Sequence, residues 1–130
     1  PGTSEEINAT KDGKVAYWEP ILKGNAPKAV VVPQALQGDS LTVDGQKVEV
    51  KGLTGPTPER TYVWITALKA VVGGVPVAGD NIHSWVADNQ SVESRAHWQQ
   101  TLEGIKGLNS KVVVTGHFLP DADQTLKSVT

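Results

Sequence analysis

The sequence predicts a layered α/β (α+β) domain whose strands are mostly antiparallel and mostly precede one long helix. Three observations predict it. An Asp-Gly dipeptide separates two short alternating segments, two further runs (TYVWIT and KVVVT) are dense in β-branched and aromatic residues, and the stretch between those runs carries apolar residues at helical spacing.

Taken in chain order, Ser4 to Lys23 places Ile7, Val15, Trp18, Ile21 and Leu22 at partly helical spacings, with Gly13 and Pro20 as interruptions, and predicts a helix. Lys28 to Pro33 (KAVVVP) is a β-branched run ended by proline and predicts a buried strand. Ser40 to Val43 and Gln46 to Lys51 alternate Leu41 and Val43 against Val48 and Val50 around Asp44-Gly45. These two residues tolerate positive φ, which a type I′ hairpin turn demands. Gly52 to Arg60 is rich in turn residues, and Thr61 to Thr66 then predicts a strand that pairs with Ala70 to Val72 around Ala67 and Leu68. Ser91 to Gly107 predicts an amphipathic helix with Val92, Ala96, Trp98, Leu102 and Ile105 on its apolar face, Ser91 or Asn89 as cap and Gly107 as stop. Lys111 to Thr115 reads as a fully buried strand ending at Gly116-His117, and a last helix is expected from Asp121 or Asp123. The strand edges have no evident cover, so pairing with another chain or with a missing half, such as a homodimer through the open sheet edge, is expected.

Composition removes several function classes. The 130 residues carry 12 Lys and Arg against 14 Asp and Glu, a formal charge of −2, which lacks the basic stripe that a nucleic acid backbone requires. No apolar run approaches the ~18 residues of a membrane span. With no cysteine, a disulfide framework, a thiolate zinc site and a cysteine nucleophile are all excluded, and any metal must use histidine and carboxylate. Starting at Pro1 with no methionine, the chain reads as a processed or truncated piece.

Two residues stand just beyond predicted strands with glycine beside them: Asp80 in VAGDN and His117 in VVVTGH. A strand fixes the direction of such a side chain while the loop leaves room for a ligand. An imidazole and a carboxylate together suit Zn, Mn or Fe, although a capping Asp and an ordinary loop His account for the same residues. His83 lies three residues beyond Asp80 and reaches the same pocket if the loop folds back; a second-sphere role is the alternative. Trp64 and Trp85 are candidates to wall a pocket or simply to pack. His97 reads as a helical surface histidine, and Asp88, Glu93 and Glu103 as helix-start or solvated charges. Ser84, Ser91 and Ser94 lack a nucleophile-elbow context, and no Gly-Lys-Ser/Thr follows Gly73-Gly74 to make a phosphate loop.

The succession of hairpin, TYVWITALKAVVGG, GDN, amphipathic helix and VVVTGH resembles the C-terminal half of the metallo-β-lactamase superfamily over Leu36 to Pro120. The resemblance implies one half of an αββα sandwich with helices on one face of the sheet, the N-terminal half being absent, so that the 130 residues form a single partial domain. It implies that Asp80 bridges two metals and that His117 is the last ligand of the second, both serving catalysis, with His83 and Trp85 shaping the substrate side. In the intact parent this implies a hydrolase holding one or two divalent ions, Zn above all, and splitting an ester, thioester, lactone, amide or phosphoester of a small-molecule substrate by metal-activated hydroxide. Two departures stand beside it. The family's His-x-His-x-Asp-His motif occurs nowhere in the chain, and GPTPERT carries Pro56 where the family has a ligating His. The isolated chain is therefore expected to bind metal weakly or not at all and to be inactive. A different class, a non-catalytic half-sandwich that binds or dimerises without metal, fits Pro56 better.

Overall fold

The computed structural model describes residues 2–53, 60–84, 86–87, 89 and 91–129, so the readings made for Pro56, Trp85 and Asp88 lie outside the described residues. The chain divides into two compact units, Pro1–Gln37 and Gly38–Thr130.

The first unit is helix α1 (Gly2–Leu22), a 3-10 turn at Lys23–Asn25 and an irregular segment. Neither Gly13 nor Pro20 stops α1, although Pro20 lacks the amide that would continue the ladder. No residue of α1 is fully buried. The strand expected over Lys28 to Pro33 does not form, and Val31 is 86% exposed there. β-Branched residues make a strand only where a neighbouring strand satisfies their backbone, and none of the strand pairings includes this segment. Ser4 Oγ instead donates to the Pro33 carbonyl at 2.6 Å.

The second unit holds five strands, β1 (Ser40–Val43), β2 (Gln46–Lys51), β3 (Tyr62–Ile65), β4 (Ala70–Ala78) and β5 (Val112–His117), with helix α2 (Val92–Gly107) between β4 and β5. They form one sheet in sequence order. The first three pairings are antiparallel and β4 runs parallel to β5, so α2 is the crossover a parallel pair requires. Asp44 and Gly45 have φ of 48° and 75°, the type I′ turn expected. Between β3 and β4 the chain turns through Thr66–Leu68 and Lys69, at φ 48°.

β4 does not end at Val72 as the sequence suggested. It continues to Ala78 because β5 supplies hydrogen bonds along its other edge, with an irregularity around Gly73 and Gly74. Nor is β5 buried throughout: Val113 and Thr115 are buried while Val112 and Val114 are exposed, and the strand runs on to His117. α2 is capped by Ser91, whose Oγ accepts from the Ser94 amide at 3.0 Å, but the inward face differs from the expected one. Ser94, Thr101 and Ile105 are buried, Trp98 and Leu102 half-buried, and Val92 and Ala96 exposed. Small residues let the helix approach the sheet, and their hydroxyls are satisfied locally: Thr101 Oγ donates to the His97 carbonyl at 3.0 Å and Ser94 Oγ to Asn89 Oδ1 at 2.8 Å. Trp98 Nε1 donates to the Pro76 carbonyl at 2.7 Å and pins α2 to β4. Beyond β5 the expected last helix is a 3-10 turn, Leu126–Val129, which delivers Val129 to the core.

That core comprises Tyr62, Trp64, Val71, Val77, Ile105, Val113 and Val129, so Trp64 packs inside it. Cross-strand register puts Glu49, Trp64, Val71 and Val113 on the covered face. On the opposite face it aligns Leu41, Val48, Ile65 and Val112, with Val50, Val63, Val72 and Val114 in the parallel row. Leu41, Val72, Val112 and Val114 of that second set are exposed. Among the described residues no helix is long and apolar enough to cross a membrane.

Candidate metal-ligand pair at the ends of β4 and β5

Parallel pairing brings the C-terminal ends of β4 and β5 together: Ala78 stands opposite His117, and the Gly79 amide donates to the His117 carbonyl at 2.7 Å. Asp80 is thus the second residue beyond the end of β4, next to the strand that ends in His117. In an open α/β sheet this is where ligands meet side chains delivered by rigid strands.

Two glycines make the approach close enough. A Cβ on Gly116 would collide with the backbone carbonyl of Gly74, and one on Gly79 would lie 2.9 Å from Phe118 Cβ and 3.2 Å from Asn81 Oδ1. The loops after the strands are then joined by side chains. Asp80 Oδ1 accepts from the Asp123 amide at 3.1 Å. Asn81 Nδ2 donates to the Leu119 and Pro120 carbonyls at 3.3 and 3.2 Å, and Asn81 Oδ1 accepts from the Leu119 amide at 3.2 Å. Asp123 is held in turn by Lys127, at 3.2 Å, and by Thr125; hydrogen bonds from Thr125 first and Lys127 second hold its carboxyl below the usual carboxylate range.

Asp80 and His117 are both exposed, as is His83. Among the described residues no hydrogen bond joins His83 to Asp80 or His117. Glu93 and Glu103 are exposed on α2, Glu103 bridging to Lys106 at 3.2 Å, and His97 is half-buried in the same helix. Asn81 was not singled out by the sequence reading, and Asp123 was read there only as a candidate helix start. The signal for Asn81 was its place in GDN, because Asn beside a Gly-Asp turn commonly bonds nearby backbone.

Among the described residues no group of three or more His, Asp or Glu side chains gathers around one point. In kind, an imidazole nitrogen and a carboxylate suit a divalent metal, and one Asp80 oxygen accepts from the Asp123 amide. In number they are two, where a zinc site takes three or four protein ligands.

Neither a protein-family model nor a curated protein matches the sequence. Solved structures do. A metallo-β-lactamase from Pontibacter korlensis superposes with a TM-score of 0.52 at 19% identity, over 95% of this chain and 58% of its own length. The metallo-β-lactamase IND-7 gives 0.52 at 17% identity, over 93% and 58%. A metallo-β-lactamase family protein from Thermus thermophilus gives 0.51 at 16% identity, over 97% of this chain and 45% of that one. The chain spans little more than half the length of the first two structures. At these identities the likeness is one of fold: this chain has part of the metallo-β-lactamase superfamily fold.

Proposed function

We propose that this chain is the C-terminal half of a metal-dependent hydrolase domain, contributing Asp80 as a bridging ligand and His117 as a terminal one. The observation that carries the reading is the parallel register that seats Ala78 opposite His117 and so brings Asp80 and His117 to one end of two adjacent strands. Asp80 and His117 would hold a divalent ion, Zn above all, which would supply a Lewis acid and a bound water of pKa ~7. The substrate class is an ester, thioester, lactone, amide or phosphoester, with His83 and Trp85 on the substrate side. With two ligands the chain by itself holds zinc weakly and turns over no substrate, activity requiring the remaining ligands from elsewhere.

Zinc titration calorimetry on the wild type, Asp80→Ala and His117→Ala tests this. Weak saturable binding that either substitution abolishes supports the assignment; equal binding by all three proteins refutes it.

A second reading, a metal-free module that self-associates through its sheet, is favoured by one observation. Leu41, Val43, Val72, Val112 and Val114 are exposed on a face whose regular strand positions carry no charge. Light scattering across a concentration series separates the two: a stable dimer that Val72→Lys with Val114→Lys dissolves favours this reading, and a monomer throughout opposes it.

A further inference from the structure

We propose that Asn81 is a positioning residue: its carboxamide locks the loop after β5 onto the loop after β4, and thereby holds Asp80 and His117 in one mutual placement. The inference deepens the proposed metal site and, in its link to zinc, rests on that reading.

The two strands alone do not achieve this. Their ladder is irregular between Val72 and Gly74 and again between Gly74 and Ala78, and the last main-chain link is the bond from the Gly79 amide to the His117 carbonyl. Beyond it the chains diverge into exposed loops: His117 is the last residue of β5, and Asp80 stands in the loop after β4. Asn81 closes the gap. Its Oδ1 accepts from the Leu119 amide and its Nδ2 donates to the carbonyls of Leu119 and Pro120, so a single side chain meets three main-chain groups of the opposite loop. Only a carboxamide offers an acceptor and two donors in one plane at this length. Leu119 is two residues from His117, and Asn81 is bonded directly to Asp80, so the tie flanks the candidate pair on both strands.

A second bond crosses the same gap in parallel. Asp80 Oδ1 accepts from the Asp123 amide, and the Ala122 amide donates to the Leu119 carbonyl, the very group Asn81 holds. The 119–123 turn is therefore fixed at one end by Asn81 and at the other by Asp80. If the Asn81 contacts are lost, the Leu119 end of the turn is released. The Asp123 amide is then held by the anchors of the other end, Gln124 to Val113 and Thr115 and Ser128 to Asp123, so the bond that orients the Asp80 carboxylate weakens. Groups that orient metal ligands commonly change affinity by about 10- to 100-fold when removed.

Two substitutions separate the bonds from the volume. Asn81→Ala removes all three contacts. Asn81→Asp keeps the shape and the acceptor for the Leu119 amide but sets a carboxylate oxygen against two carbonyls. Amide exchange by NMR is read at Leu119, at Asp123 and, as a control for the fold, at the paired strand amides of Val50 and Val63. Exchange at Leu119 in Asn81→Ala is expected to accelerate about tenfold or more, with Asp123 following and the controls unchanged. Zinc binding, read by the wild-type chemical-shift change at His117, is expected to weaken about tenfold or more in both variants. Unaltered exchange at Asp123 in Asn81→Ala would overturn the positioning role, as would zinc binding of wild-type strength. Should the wild type show no zinc response at His117 while exchange at Asp123 still accelerates, the metal reading fails and the clamp stands.

Discussion

The two faces of the sheet are built from the same strands and have opposite chemistry. On the covered face, Tyr62, Trp64, Val71 and Val113 meet Ile105 of α2, and charge stands at the rim, where Glu49 lies 3.2 Å from both Lys47 and Lys51. On the other face the regular positions of all five strands are aliphatic except Gln46. The aromatic residues Tyr62 and Trp64 lie on the side that α2 covers, and the opposite side carries valine, isoleucine and leucine. An antiparallel sheet with one wet face shows polar residues on that side; a sheet apolar on both sides is built for cover on both. This difference fits the proposed function, in which the chain is one half of a sandwich.

Aspartate on either face gives the sharpest contrast. Val113 is 0% exposed and Val114 is 41% exposed, one residue apart on β5. Val113→Asp buries a carboxylate without a partner and is expected to cost about 3 kcal/mol or more, whereas Val114→Asp stays within about 1 kcal/mol. Urea unfolding of the two variants measures both, and equal losses would erase the distinction between the faces.

Gly116→Ala comes next. Its new methyl meets the Gly74 backbone, which cannot swing away as a side chain does, and overpacking of that kind costs about 1–3 kcal/mol. The loss should appear in thermal unfolding together with shifts at the β4 and β5 ends; a neutral substitution would mean that the two strands are not this close.

A smaller effect belongs to the covered face alone. Burial raises the Tyr62 hydroxyl above its ordinary value of 10.0. The folded state then favours the neutral phenol, so this stabilisation is complete below about pH 10 and is lost as pH rises through the folded-state value. Denaturant midpoints from pH 8 to 11 should fall more steeply for the wild type than for Tyr62→Phe; identical slopes would place Tyr62 in water.

The smallest belongs to the rim. Hydrogen bonds from Lys47 and then Lys51 lower the carboxyl of Glu49 from 4.5, so its contribution is present above that value and fades as pH falls through the folded one. Glu49→Gln should flatten this acid limb slightly, and added salt should do the same to the wild type, as expected of an exposed ion network. A salt-insensitive acid limb would argue against that network.

Local rules made much of this legible. Asp44-Gly45 identified the hairpin, and Ser91 identified the start of α2, because turn and cap preferences operate within a few residues. Where a residue's state depends on a distant partner, reading failed. KAVVVP has strand composition but no neighbouring strand, and KVVVT reads as buried throughout although only α2's side of it is covered. The inward face of α2 was misjudged because Ser94 and Thr101 are polar by type and buried by virtue of local hydrogen bonds. At the candidate site, Gly-Asp and Gly-His marked the two strand ends, and the order of elements suggested the fold. The Asn81 and Asp123 ties lay beyond reach, since each crosses a long stretch of sequence, Asn81 to Leu119 by 38 positions and Asp80 to Asp123 by 43.

The proposed function makes His117, with Asp80, a ligand for a divalent metal. The chain's three histidines, His83, His97 and His117, make it directly testable by imidazole 15N NMR during a zinc titration. The His117 ring nitrogens are expected to shift first and furthest, His97 to stay silent, and Asp80→Ala to abolish the response. A response at His83 or His97 with His117 unmoved, or no response at any of the three, would contradict it.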